Sequence, residues 1–395
     1  MVILGIGGVG QVCAREAAKR EYVTHLVLAD LFPAAAERLA EQLREQTKAT
    51  IEVVKADASD ANSLAAILGA ADVCVYAGLP EYNFQVMQAC LETGTSYIDL
   101  AADGPGSSYQ LEQLAWDERF KQAGLLGIMG MGCDPGFTNI AARYAADQMD
   151  RITRISVLDG DKSTVDIDGY CAYFSPATAI KECLGNPNYW TPQTGECFDW
   201  EPLSNKERIQ FPEPVGWLDC YNVEHEEVAT LGTSIGKGCE YVDFKYALSE
   251  DFVTMLRVIQ KLGLASEEPV ESGGQSVVPL DLVVRAMPKP AELAGKIHGH
   301  SCIGTLVHGT KGDRAVEMFV YSLISHDEVY AEHGSQATVW QTGVPPIVAV
   351  DMMAEGLLTR TGCIPPEMID PVPFLERLRA RGMRWDVIMK TSPLV

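Results

Sequence analysis

The chain has 395 residues, 47% of them hydrophobic and 22% charged, and its 31 lysines and arginines face 54 aspartates and glutamates for a formal net charge of −23. Such an acid excess argues against a nucleic-acid partner, whose phosphates would be repelled rather than neutralised. No apolar run reaches the length of a membrane-spanning helix, the chain enters its first strand too early for a signal peptide, and eleven scattered cysteines without a CxxC pair read as the reduced set of a cytoplasmic protein.

Val2-Ile3-Leu4 reads as a strand, and Gln11 to Arg20 as a helix. Between them lies Gly5-Ile6-Gly7-Gly8-Val9-Gly10, the strand, turn and helix order in which glycines let backbone approach a pyrophosphate at a helix N-terminus. Leu26-Val27-Leu28-Ala29 reads as the second strand and ends in Asp30, twenty residues after Gly10. A carboxylate there accepts both hydroxyls of an adenosine ribose and repels a 2′-phosphate, so NAD is expected, with NADP as the alternative. The plainer reading is a glycine turn with a helix-capping aspartate.

A helix over 33–46, a strand over 51–56 and a helix over 61–68 come next. Asp57 follows the third strand, where it would meet adenine or cap the helix from Ala61. The fourth strand, Val73 to Ala77, runs into Gly78 and Leu79, so Ala77, Gly78 and Leu79 are placed at the nicotinamide end. A helix over 84–92 leads to a strand over 96–101 carrying Asp99, which turns toward the crevice or into a buried hydrogen bond. A long helix over Ser107 to Ala123 and a strand over 125–131 complete six strands separated by helices, a doubly wound parallel α/β sheet. The sixth strand ends in Gly132-Cys133-Asp134-Pro135-Gly136, a turn that aims Asp134 at the crevice or serves only as a turn.

From about residue 151 the pattern changes. Stretches 152–158, 241–246, 276–285, 302–308 and 314–324 alternate as strands, which indicates a separate α+β domain on a mixed or antiparallel sheet. Tyr173-Phe174-Ser175-Pro176 opens a helix or offers Ser175 to a carboxylate, and His225-Glu226-Glu227 precedes a short helix. A helix from Gly343 through Leu358 and another over 373–381 follow. His298, His300 and His308 have loose metal-like spacing, but strand alternation accounts for them, and no metal is expected.

The N-terminal glycines with Asp30, the Asp134-Pro135-Gly136 turn with Thr138-Asn139, Phe174-Ser175-Pro176, the His225-Glu226-Glu227 cluster and the tail from Thr342-Gly343 to Phe374 together resemble the saccharopine dehydrogenase family. The resemblance covers essentially the whole chain. It implies a Rossmann NAD(P)-binding domain of residues 1–140 plus 342–395 and an inserted substrate-binding and dimerisation domain of 141–341. It implies hydride transfer at the CH–NH bond of an amino acid or carboxylated polyamine through an imine, with a homodimer expected. Asp134 and His225 become the catalytic candidates, and Asp99, Cys133, Asp134 and Ser175 the substrate-contacting ones. The other function class left open is a nucleotide-binding regulatory protein that kept the fold and lost the chemistry.

Overall fold

The structure, a computed structural model, describes residues 1–102 and 109–394. Its first part alternates β1 (Val2–Leu4), α1 (Gly8–Ala18), β2 (His25–Asp30), α2 (Ala34–Arg44), β3 (Thr50–Lys55), α3 (Ala61–Leu68), β4 (Val73–Tyr76), α4 (Asn83–Thr93), β5 (Ser96–Asp99), α5 (Tyr109–Leu114), α6 (Asp117–Ala123) and β6 (Leu126–Ile128). Strands such as Val2-Ile3-Leu4 are apolar at every position because helices cover both faces of the sheet. Neighbour order changes direction between β1 and β4, which opens a crevice at their carboxyl ends. Only glycine fits the turn after β1. Gly5 has φ of +95°, and a Cβ on Gly10 would lie 1.8 Å from the Gly5 carbonyl oxygen.

The second part begins with α7 (Phe137–Asp147) and β7 (Arg151–Val165), then α8 (Pro176–Leu184), β8 (Tyr189–Thr191), β9 (Gly195–Cys197), β10 (Glu207–Gln210) and β11 (Trp217–Asn222). It continues with α9 (Glu227–Ile235), β12 (Val242–Ala247), α10 (Glu250–Lys261), a small hairpin of β13 (Val270–Ser272) and β14 (Gln275–Val277), and α11 (Pro279–Ala286). A long hairpin follows, β15 (Ile297–Lys311) with β16 (Arg314–Ser325), in unbroken register from His300 opposite Ser325 to Lys311 opposite Arg314. Then come α12 (His326–His333), α13 (Ala337–Ala354), β17 (Gly362–Ile364), α14 (Pro371–Ala380) and β18 (Asp386–Pro393).

The first sheet is seven-stranded and parallel, in the order β17-β6-β5-β4-β1-β2-β3, one strand wider than the sequence indicated. The second is nine-stranded and mixed, since β7 runs parallel to β12 but antiparallel to β15. One apolar core runs through both, from Ile3 and Leu28 by way of Ile140 and Ala141 on α7 to Ile155 and Val307.

Four expectations are corrected. The helix expected over Ser107 to Ala123 is two helices separated near Trp116, with Ser107 and Ser108 outside the described residues. The strand expected over 276–285 is mostly α11, because Pro279 at its first position fixes a helical φ and Leu280, Val283 and Val284 share one helical face. α13 starts well before Gly343 and carries Pro345 and Pro346 inside it. Packing on α1 overrides the breakers: a Cβ on Gly343 would lie 2.6 Å from Val12. The last segment does not all return to the first sheet, for β17 joins it while β18 pairs with β16 in the second.

The returning helices are locked by a buried ion cluster. Arg381 donates to Glu16 of α1 at 3.1 Å and to Asp351 of α13, and Tyr22 donates to Asp351 at 2.6 Å. Removing one partner of a buried pair leaves its charge uncompensated, although Lys19 and Arg20 still reach Glu16. Arg381→Met is expected to lower stability by about 3 kcal/mol in a denaturant titration.

Candidate functional site

The nucleotide half of the crevice starts at Asp30. Its Oδ2 accepts from the Ile6 backbone N–H at 2.6 Å and its Oδ1 from the Phe32 N–H at 2.8 Å, which fixes the carboxylate at the end of β2 with lone pairs to spare. A Cβ on Gly7 would meet nothing within 4 Å, so the start of α1 is open where a pyrophosphate would lie. Gly8 backs onto Val339, and Val9 faces the cleft. Asp57 is engaged locally. Its Oδ1 accepts from the Ser59 N–H at 2.9 Å and hydroxyl at 2.7 Å, and those bonds hold its carboxyl below the usual range. Asp60, not Asp57, caps α3. Ala77, Gly78 and Leu79 line the cleft, held in place by the Tyr76 hydroxyl donating to the Leu79 carbonyl at 2.7 Å.

Facing this loop is a cavity of about 210 Å³ at the meeting of the two parts. The turn after β6 supplies one wall, where Gly136 has φ of +131° and a Cβ would lie 2.0 Å from the Gly132 carbonyl oxygen. Asn139 accepts from the Gly136 N–H at 2.9 Å and donates to Glu367 at 2.9 Å. Thr138 donates to Glu227 at 2.8 Å, and Thr305 of β15 donates to the Thr138 carbonyl at 2.7 Å. Thus pinned, the turn presents Asp134 to the cavity together with Asp159 of β7, Glu182 of α8, His225 and Glu226.

Electrostatics dominate this cavity. Burial pushes Asp134, Asp159 and Glu182 well above the ordinary carboxylate range. His225 partly opposes the rise in each, while Asp134, hydrogen-bonded to Asp159, raises it further, which favours a proton on this pair. His225 is drawn the other way. Burial disfavours its charge, but Glu227, Glu226 and Glu182 outweigh that and keep it protonated. Its Nδ1 bonds Glu227 and lies 3.3 Å from Glu226, its ring stacks on Phe244 at 3.7 Å between centroids, and Asn188 accepts from its backbone N–H at 2.9 Å. His225, Glu226 and Glu227 offer ligand atoms within 4.8 Å of one another, the geometry of a cation site, and the imidazolium supplies the positive charge there.

Asp134 and His225 therefore share one cleft. Ser175 lines it too, while also capping α8 by accepting from the Thr178 N–H at 3.4 Å. Asp99 does not reach it. Its carboxyl is buried beneath the β5 end, accepting from the Gly130 N–H and from Gln113 at 2.7 Å, and burial pushes it up to about 7. Cys133 is also withdrawn into the apolar core, where burial raises its thiol and leaves it unreactive. Sequence reading missed Asp159, Glu182 and Glu226 as cleft groups. The signal for Glu182 was its position four residues after Thr178 on one face of α8; Asp159 sits mid-strand, and nothing local marks which face it takes.

Comparison with known proteins agrees over the full length. The models of the saccharopine dehydrogenase NADP binding domain and C-terminal domain match residues 1–128 and 132–383. Carboxyaminopropylagmatine dehydrogenase of Synechocystis is 31% identical over 393 residues, covering 98% of this chain and 97% of that protein. Carboxynorspermidine synthase of Vibrio alginolyticus is 31% identical over 409 residues, covering 97% and 95%. Among solved structures, the homospermidine synthase of Legionella pneumophila in complex with NAD gives a TM-score of 0.73 at 14% identity over 98% of this chain and 91% of that one. Saccharopine dehydrogenase (L-Glu forming) of Saccharomyces cerevisiae gives 0.68 at 14% identity over 99% of each chain. No helix among the described residues is long and apolar enough to cross a membrane. With its parallel nucleotide-binding sheet and mixed second sheet, the chain belongs to the saccharopine dehydrogenase family and is an NAD(P)-dependent oxidoreductase acting at a CH–NH bond.

Proposed function

We propose that the CH–NH bond belongs to a carboxylated polyamine rather than to an amino acid of the saccharopine type. The charge of the cleft carries this reading: Asp134, Asp159, Glu182 and Glu226 line it, and no lysine or arginine does among the described residues. Residues 103–108, outside those described, contain neither type. A substrate bearing several carboxylates would find among the described residues only the His225 imidazolium, already bonded to Glu227 and close to Glu226, whereas ammonium groups would relieve the repulsion among the four carboxyls. The single carboxylate of such a substrate would meet the hydroxyls of Ser175, Thr178, Thr338 and Thr342.

The reaction is balanced with few groups. In the reductive direction a bound NAD(P)H would supply the hydride that turns the carbon–nitrogen double bond of a protonated imine into a single bond, and the resulting amine takes one proton to become ammonium. The Asp134–Asp159 pair, holding a proton in the cleft, is the donor in this scheme, and its negative form stabilises the iminium before transfer. His225 acts as the fixed positive charge that offsets part of the repulsion among the neighbouring carboxyls. In the oxidative direction the same pair takes the ammonium proton. The cofactor preferred is NAD, because Asp30 repels a 2′-phosphate and Leu31 and Phe32 follow it in place of an arginine. We place the working enzyme in the cytoplasm as a homodimer. All eleven cysteines are unpaired, and β18, the outermost strand of the second sheet, exposes Ile388 and Met389 on an edge that a second copy can cover.

Nicotinamide absorbance with carboxynorspermidine, carboxyaminopropylagmatine, saccharopine and lysine tests the substrate class; turnover of saccharopine or lysine alone would overturn it. Asp134→Asn is expected to leave NAD affinity unchanged and to cut turnover at least about a hundredfold, the scale of a lost general acid or base. In the wild type the reductive rate should fall as pH rises through the elevated carboxyl pKa, since the donor is lost above it, and the oxidative rate should rise over the same span. A pH profile for Asp134→Asn that keeps the wild-type limb would exclude the pair as donor. Asp30→Ala should weaken NAD binding by about tenfold in a fluorescence titration, the scale of lost hydrogen bonds to a charged group. A mass near 43.0 kDa by light scattering would remove the dimer.

A further inference from the structure

A second cavity of about 390 Å³ adjoins the cleft, and Tyr246 belongs to the walls of both. The first turn of α8 separates them: Ser175 and Thr178 face the cleft, Ala179 the second cavity. β7 runs from one to the other. Side chains alternate faces along a strand, so Asp159, Asp161, Ser163 and Val165 share one face; Asp159 lines the cleft and the next three line the second cavity. The intervening Lys162 and Thr164 point to solvent, as their exposure against the half-buried Asp161, Ser163 and Val165 shows.

The lining is chemically consistent. It offers the carboxylates of Asp161 and Asp251, the rings of Tyr170, Tyr173, Tyr246 and Phe252, and no basic side chain. Aromatic faces beside carboxylates suit an alkylammonium or guanidinium group, whose methylene stem packs on the rings while its charge meets the acid. Asp161 is held in place for this. His326, its ring buried, donates from Nε2 to Asp161 Oδ2 at 2.8 Å and accepts from the Ala337 N–H at Nδ1 at 3.2 Å. The Ser163 hydroxyl bonds the other oxygen and is itself bonded to the Tyr173 hydroxyl at 2.6 Å. Two positions along a strand advance about 6.6 Å, the length scale of the three- or four-carbon spacer between nitrogens of a linear polyamine.

We propose that this second cavity is a distal subsite, in which Asp161 and the tyrosine walls bind the terminal cationic nitrogen of a linear polyamine whose reacting nitrogen lies between Asp134 and Asp159. The inference rests on the polyamine reading above and adds the residues that measure substrate length. Asp161 is a specificity-determining residue here and touches no reacting atom.

The test is calorimetric titration of the NADH-saturated protein with 1,3-diaminopropane, whose two nitrogens stand one spacer apart, and with propylamine, which lacks the second. Wild type is expected to bind diaminopropane about tenfold more tightly, the scale of one charged contact. Asp161→Asn should bring diaminopropane to within about twofold of propylamine, whose own affinity stays unchanged. Tyr170→Ala, at a half-exposed position whose truncation leaves the core intact, should remove about threefold of the advantage and stands in if the first variant does not fold. A wild type that binds the two amines alike, or an advantage that survives both substitutions, overturns the subsite. The titration needs no turnover, so the two readings fail separately. Diaminopropane held through Asp161 without oxidation of any carboxylated polyamine would remove the substrate assignment alone; carboxylated-polyamine turnover with the length advantage intact in both variants would remove the subsite alone.

Discussion

Five carboxyl groups, Asp134, Asp159, Glu182, Glu226 and Glu227, converge on one imidazole in a place where little water can screen them. That concentration of like charge is the constraint on which the architecture depends. Left alone, buried carboxylates would drive the two parts of the molecule apart, because each desolvated charge costs several kcal/mol. Two responses are visible. Protons stay on groups that would ordinarily lose them, and His225 takes a charge that burial would ordinarily deny it. A chemistry that shuttles protons to and from nitrogen needs groups poised in that way.

The backbone holds this arrangement by hydrogen bonds that cross between the sheets. Thr138 on α7 bonds Glu227, the same residue's carbonyl accepts from Thr305 on β15, and Asn139 bonds Glu367 near the chain's return. The buried apolar core supplies the free energy, and these polar bonds set the position. α7 belongs to neither sheet: it follows the turn after β6 and packs on β7, β15 and β16 of the second, so the turn that aims Asp134 is fixed from three directions.

Much of the first sheet was legible in the sequence because its signals are local. Glycines that no other residue can replace, a carboxylate at a fixed distance along the chain and alternating strand and helix periods all follow from steric rules read over a few residues. Asp134 and His225 were legible too, since each sits in a distinctive short run. What escaped depends on long-range contact. β17 is three residues followed by two prolines, and only pairing with β6 makes it a strand. α11 carries β-branched residues and reads as strand until Pro279 and its packing decide otherwise. Asp99 and Cys133 lie at the right places along the chain but face inward, a half-turn of strand that periodicity leaves open. Glu182 and Asp159 become cleft residues only when α8 folds back over β7.

The chain passes between the two sheets three times: through α7 after β6, through α12 and α13 after β16, and through the segment from α14 to β18. A body joined to another by one strap can swing about it, and one joined by three has lost that freedom. Jaw-like closing of whole domains is thereby restrained, and the cleft, with Leu79 half exposed at its mouth, has its shape set by the fold itself. Ligands enter a slot whose width the fold has already fixed.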